Sequence, residues 1–281
     1  MAKNKLILGI EIECAYNPEK VDLGEYINNY HNTNADGWIT PNWVGENDGS
    51  LHASKSGWET IEIISRPFLI TEFVTIMQDL VDNVFKGKIM KDTMEINSSC
   101  GNHVHVSVLK EDNTTGTIPF RGRTFRFAGK IMPVKLTLAT IKKIREEVLA
   151  RLTPTARDRY FRDYATKIVK SNFFSGQKYR EWNNSFRDGH AEYRSLNFVG
   201  VNTWTNLRRA YERIFTILRK YLIKEPAVET YRVSGNFTPT ELPALIECKI
   251  QPPEKVENIK HKITPANITN IKFEGDEKCV T

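Results

Sequence analysis

Glu11 and Glu13 stand two residues apart in an apolar run, Leu6–Glu13 (LILGIEIE), and the same spacing recurs at His103 and His105 (HVHVSVL) and at Glu192 and Arg194 (HAEYRSLNF). A fourth run, Trp58–Ser65 (WETIEIIS), carries Glu59 and Glu62. Alternate side chains of a strand share a face, so each pair projects to one side, about 7 Å apart. Paired carboxylates suit a cluster of divalent ions, and two imidazoles suit one metal or a metal and its carboxylate neighbour. An Arg beside a Glu can fork two donors onto a phosphate while the Glu holds a metal bridging the same phosphate. Burying so many ionisable groups is costly unless counter-charges neutralise them. The pattern reads as a metal and phosphate site built on a sheet.

Each motif has a plainer reading when taken alone. I-E-I-E also describes the solvated face of an edge strand, and H-x-H a pair of core or surface histidines. Glu192 and Arg194 could form a cross-strand salt bridge of nearly neutral energy. Glu59 and Glu62 point to opposite faces, so at most one joins the site. Asp48-Gly49-Ser50 is most simply a tight turn. The conjunction weighs more than any part, because all four clusters share a strand context and a matching period.

The elements that must position these residues follow from periodicity. The first strand runs over about Lys5–Cys14, followed by a polar loop rich in Asn, Gly and Trp. The second strand leads through Arg66-Pro67 to a helix with Thr71 as N-cap, apolar Phe73, Val74, Met77, Leu80, Val81 and Val84, and a stop at Gly87. The third strand follows Cys100-Gly101, and Thr114-Thr115-Gly116 turns the chain out of it. Val134–Leu152 reads as an amphipathic helix, and Pro154 ends it or begins another carrying Tyr160, Phe161 and Tyr164. Thr205–Lys224 is the clearest helix. After Gly235, Pro239, Pro243, Pro252, Pro253 and Pro265 break any long element. Residues 1–234 thus read as a catalytic domain and 235–281 as a Pro/Lys/Glu-rich tail, extended or partner-binding.

Strands and helices interleave without a Gly-rich nucleotide fingerprint, neither G-x-x-x-x-G-K-[ST] nor G-x-G-x-x-G. The expected class is α+β with a largely antiparallel sheet, polar chemistry on one face and helices on the other. A length of 281 residues allows one large domain with a sizeable core. No apolar run is long enough to span a bilayer, and the N-terminal apolar run breaks at Glu11 before a signal-peptide core is complete. Cys14, Cys100, Cys248 and Cys279 form no C-x-x-C pair, which fits a reducing, cytoplasmic compartment. Cys100 beside Gly101-Asn102-His103 could be a nucleophile, but a small buried thiol is the simpler reading. The net charge of +6 favours polyanionic partners without choosing among them.

The order G-I-E-I-E (Gly9–Glu13), D-G-S (Asp48–Ser50), E-I-I-S-R-P (Glu62–Pro67), G-N-H-V-H-V (Gly101–Val106), Y-R-E-W-N (Tyr179–Asn183) and A-E-Y-R (Ala191–Arg194) resembles the amidoligase family. These are carboxylate–amine ligases with a glutamine synthetase-like catalytic fold, alongside the glutamate–cysteine ligases. The resemblance spans about Leu6 to Leu222. It implies a curved antiparallel sheet with the active site on one face, ATP as co-substrate and Mg2+ or Mn2+ as cofactor. By position it implies Glu11, Glu13, Glu62, His103 and Glu192 as metal ligands, with His105 close by. It also implies Arg194 on phosphate, and Arg180 and Asn183 facing substrate or nucleotide. Arg66 intervenes where the family has Ser-Pro, a departure that bears on the substrate pocket.

The expected reaction is ATP-dependent amide formation through an acyl phosphate, joining a carboxylate to an amine from a small molecule, a peptide or a protein side chain. Glu13, Arg194 and His105 are its candidate catalytic groups. The alternatives are a divalent-metal nuclease or phosphohydrolase, and an inactive nucleotide-binding relative. Nucleic acid is the less favoured partner, because the basic stretch interleaves acids with bases (KKIREEVLARL) as solvated helices do. No membrane partner is expected, and an oligomer is compatible with a site completed by a neighbour.

Overall fold

Strand β1 (Asn4–Tyr16) is the central strand of the sheet in the computed structural model, which describes residues 4–28, 37–152, 167, 181–183, 190–196 and 198–223. Arg180, the segment 154–164 expected to be helical and the tail 235–281 lie outside the described residues. Leu6, Leu8, Ile10, Ile12, Cys14 and Tyr16 of β1 are buried in the main apolar core, while Gly9, Glu11 and Glu13 face the other way. Full burial of one such aliphatic side chain contributes about 1.5–3 kcal/mol, so this strand can carry an unfavourable acidic face.

Two antiparallel neighbours flank β1: β4 (Glu59–Ser65) and β7 (Asn102–Phe120). Outside β4 come β3 (Trp43–Glu46) and β2 (Ile27–Asn28), the latter paired in parallel. Outside β7 come β10 (Ala191–Leu196) and β9 (Trp182–Asn183), both antiparallel. Short strands β5 (Phe68–Leu69) and β6 (Met94–Glu95) pair with the ends of β1, and β8 (Arg123–Met132) returns along β7. The sheet is therefore mostly antiparallel and open, and the class is α+β.

Helices α1 (Phe73–Asp79), α3 (Leu138–Arg151) and α4 (Trp204–Leu222) bring Phe73, Ile76, Ile144, Val148, Tyr211 and Phe215 into the core; the short α2 (Met90–Thr93) lies between α1 and β6. Among the described residues no helix is long and apolar enough to cross a membrane.

Four expectations change in detail. Thr71 is not the cap of α1: a 3-10 turn precedes the helix, and the Glu72 carboxylate accepts the Leu69 N–H at 2.8 Å. Helix α3 starts at Leu138 rather than Val134, because the Thr137 side chain caps the Thr140 N–H at 3.1 Å. The clearest helix begins at Trp204, capped in the same way by Thr203 on the Asn206 N–H. Finally, Thr114-Thr115-Gly116 does not turn the chain out of the third strand. The ladder shifts register between Lys110 and Thr115, and β7 continues to a two-residue turn at Arg121-Gly122, both at positive φ (46° and 72°). That turn starts β8, a strand that periodicity did not predict.

Candidate metal centre under a hairpin roof

The ladder registers gather the charged residues into rows. Glu46 of β3 stands opposite Glu62 of β4, which stands opposite Glu13 of β1. Two residues along β1, Glu11 faces His103 of β7. Two further along, Gly9 faces His105, His105 faces Glu192 of β10, and Glu192 faces Asn183 of β9. Directly opposed residues point to the same side, so these residues share one face of the sheet, away from the helices.

Glu11 sits at the centre. One carboxylate oxygen meets His103 Nδ1, and the other lies 3.0 Å from His105 Nε2. His103 Nδ1 is also 3.1 Å from Glu192, whose carboxylate is ion-paired with Arg194 and accepts the Asn183 side-chain amide at 3.2 Å. Glu13 accepts the Gly101 N–H. A Cβ at position 101 would lie 2.7 Å from His103 Nε2 and 3.0 Å from Glu13 Oε2, so glycine leaves the space these two side chains fill. Behind the sheet, the Tyr211 hydroxyl of α4 donates to Asn102 Oδ1 at 3.2 Å and ties the start of β7 to the core.

Among the described residues, two groups of side chains offer ligand atoms within 4.8 Å of one another: Glu11, Glu13 and Glu62, and Glu11, His103 and Glu192. Glu11 belongs to both. The predicted metal ligands are therefore brought together, and His103, not His105, falls within a group. His105 instead holds the shared carboxylate and lies beside the His190 ring. Glu59 is outside the site, accepting the Tyr16 hydroxyl. Asp48 caps a turn, its side chain accepting the Ser50 N–H at 2.8 Å. Arg66 is held by Asn42 (2.7 Å) and Glu72 (2.6 Å), away from the site.

Electrostatics agree with a cation site. Burial, then the charge and hydrogen bond of Glu11, hold the Glu62 carboxyl well above the ordinary carboxylate range. Burial also raises Glu13. Burial would raise Glu11 too, but the neighbouring His103 outweighs it and the net shift is well downward. His103 is disfavoured as a cation by burial, yet Glu11 shifts its pKa upward. Glu11, Glu13, Glu46, Glu62 and Glu192 thus crowd one face, and the protons favoured on Glu13 and Glu62 are ones that divalent ions can replace.

Two residues that sequence reasoning missed complete the site. Glu46 is fully buried, and its partner is Arg121 at the tip of the β7–β8 hairpin. The hairpin crosses the face and roofs a partly open cavity of about 1050 Å³. Glu11, Glu46, Glu62, His105, Glu192 and Arg194 line its polar end; Ile7, Ile118, Pro119, Phe120 and Ile131 line an apolar part under the hairpin. Glu46 ends a short strand beside turn residues, and only the β3–β4 register reveals its place. In the Y-R-E-W-N segment, Glu181 is structural: fully buried, it pairs with Arg145 of α3. Asn183 faces the cavity, while Arg180 is outside the described residues.

No protein-family model and no curated protein matches this chain.

Proposed function

We propose that this chain is a cytoplasmic, ATP-dependent carboxylate–amine ligase with a glutamine synthetase-like fold, forming an amide through an acyl phosphate. The observation that carries the reading is Glu11, shared by two buried donor groups beside Arg194 in a roofed cavity. At about 1050 Å³ the cavity is at the upper end of small-ligand sites, which suits a nucleotide and a second substrate together.

Glu11, Glu13, Glu62, His103 and Glu192 would hold magnesium or manganese. Bound there, the ions supply positive charge against phosphate oxygens and orient them. Arg194 offers a fork of donors to the transferred phosphoryl group, and Asn183 orients Glu192 behind it. The acceptor carboxylate attacks the γ-phosphate and ADP leaves; the amine then attacks the acyl carbon and inorganic phosphate leaves. Glu13 or His105 takes the proton the amine loses. The hairpin roof limits water, which would otherwise hydrolyse the acyl phosphate. That roof is why a ligase is preferred to a phosphohydrolase using the same donors.

The deciding experiment is release of ADP by the pure protein with magnesium, ATP and panels of acids and amines. Amine-dependent ADP release, abolished by Glu13→Gln and Glu192→Gln, supports the ligase. Equal release with and without an amine, or cleavage of phosphodiesters without ATP, rejects it in favour of hydrolysis. Binding of ATP with no turnover across the panel favours an inactive nucleotide-binding relative.

A further inference from the structure

Arg121 occupies a backbone conformation that costs an ordinary residue energy. Its φ of 46°, followed by Gly122 at 72°, is the two-residue hairpin turn that favours Asn, Asp or Gly at the first position. Backbone preference therefore does not account for an arginine there, and its side chain must.

Docking of the hairpin tip does not account for it alone either. Trp38 Nε1 donates to the Arg121 carbonyl at 3.0 Å, and the Phe120 ring meets the Trp38 ring edge-on at 5.9 Å. The Arg123 guanidinium lies 3.9 Å above the same indole. These contacts hold the tip through its backbone and its neighbours. The Arg121 guanidinium turns the other way, lines the cavity and pairs with Glu46 in the row that continues to Glu62 and Glu13.

The hairpin is also built as a separate ribbon. Among the described residues the β1–β7 ladder ends at Lys110; β8 pairs β7 at Val108–Lys110 and, after a bulge, again from Thr115 to Phe120. Gly129 (φ 133°) faces the bulge, where a Cβ would lie 2.5 Å from the Lys110 carbonyl oxygen. The bulge thus marks one end of the roof and Arg121 the other.

An anionic substrate entering this cavity meets a floor of glutamates, and Arg194 at one side is already engaged by Glu192. We propose that Arg121 is the second anion-recognition residue of the cavity. Its guanidinium exchanges the Glu46 carboxylate for an oxyanion of the substrate, a phosphate or a carboxylate, which its planar donors can fork. Glu46 holds the arginine over the floor until that exchange. The identity of the substrate rests on the ligase reading; the oxyanion recognition does not require turnover.

The test is calorimetry on the full chain at saturating magnesium, with tripolyphosphate as the phosphate probe and glutarate as the carboxylate probe. The wild type binds at least one of them, and which one identifies the oxyanion. Arg121→Gln weakens that binding about tenfold or more, the worth of a charge-assisted hydrogen bond. Glu46→Gln strengthens it, because the competing carboxylate is gone. A residue that only latches the roof would make both substitutions weaken binding alike, and that result overturns the proposal. So does binding of neither probe by the wild type, or an effect of Arg121→Gln within about twofold of none. Thermal melts check that each variant is folded; if Arg121→Gln is not, the sign of the Glu46→Gln effect decides alone. Oxyanion binding without amine-dependent ADP release would reject the ligase and leave Arg121 in its role.

Discussion

Glu11 of β1 faces His103 of β7 across an antiparallel ladder, and its carboxylate spans two histidines, one oxygen on His103 Nδ1 and the other 3.0 Å from His105 Nε2. The same carboxylate is common to both candidate cation groups. This geometry sets a hierarchy among the ligands. Glu192→Gln should remove one manganese from the titration and leave the other, while Glu11→Gln should remove both. Manganese titration followed by electron paramagnetic resonance reads the stoichiometry directly. Equal losses from the two substitutions would contradict a shared Glu11.

The metal-free protein should lose stability as pH rises through neutrality. Burial and the Glu11 charge raise the folded pKa of Glu62, and Glu11 raises that of His103 against the opposing effect of burial. For both, the bound proton stabilises the folded chain at pH below the unfolded value. That contribution is lost as pH climbs through the raised folded value. Glu11 has the opposite sign: its pKa is lowered, so its contribution is present at neutral pH and is lost in acid. The slope should approach about 1.4 kcal/mol per pH unit for each proton released. Magnesium replaces the protons and should flatten the decline. Melting temperatures between about pH 6 and about pH 8, with and without magnesium, check this. A flat or rising profile without the cation would count against these assignments.

Gly101 is a steric requirement of the site. Alanine there would place its Cβ 2.7 Å from His103 Nε2 and 3.0 Å from Glu13 Oε2, so one of the two must move. Gly101→Ala should therefore weaken magnesium binding about 10–100-fold, as displacement of ligand-supporting groups does, and cost about 1–3 kcal/mol of stability. Gly49 is the control, because a Cβ added there would meet nothing within 4 Å, and Gly49→Ala should leave both quantities unchanged. Calorimetry with magnesium and urea unfolding measure the pair.

Cys100, next to Gly101, should behave as an inert thiol. It is 7 % exposed, and burial pushes its pKa up to about 11. The thiolate fraction at neutral pH is accordingly small, and alkylation should accelerate about tenfold per pH unit up to the pKa. Peptide mapping after iodoacetamide treatment resolves Cys100 from the other cysteines. Rapid labelling at neutral pH would revive the nucleophile reading that the sequence left open.

The period-two alternation in β1, β4, β7 and β10 was enough to place Glu11, Glu13, Glu62, His103 and Glu192 on strands, because buried strand faces write themselves into sequence. Which strands lie side by side is not local information. Glu46 becomes part of the site only through the β3–β4 register, and Arg121 only because a ribbon crosses the sheet to a residue 75 positions earlier in the chain. Strand β8 escaped because two arginines, a lysine and a glycine interrupt its apolar residues (RTFRFAGKIM). Half of its alternation faces solvent, so its pattern resembled a polar loop.

The buried pair Arg145–Glu181 links helix α3 to the strands that carry the site. Arg145 Nε donates to Glu181 Oε2 at 3.0 Å, and the Glu181 carbonyl accepts the Arg194 N–H at 2.9 Å. Glu181 is fully buried and Arg145 nearly so, at 6 % exposure. Removing one partner takes away the other's bidentate counter-charge in a low-dielectric interior, at a cost of about 3–5 kcal/mol. Arg145→Met and Glu181→Gln should each be destabilising to this extent in urea unfolding. The double substitution should recover much of the loss, because it removes both buried charges together. A purely additive double variant would mean that each side chain acts through other neighbours. Since Arg194 and Asn183 flank Glu181, both single variants should also weaken retention of the cation held by Glu11, His103 and Glu192 more than that held by Glu11, Glu13 and Glu62. That asymmetry separates a positioning role from general loss of stability, which would affect both equally.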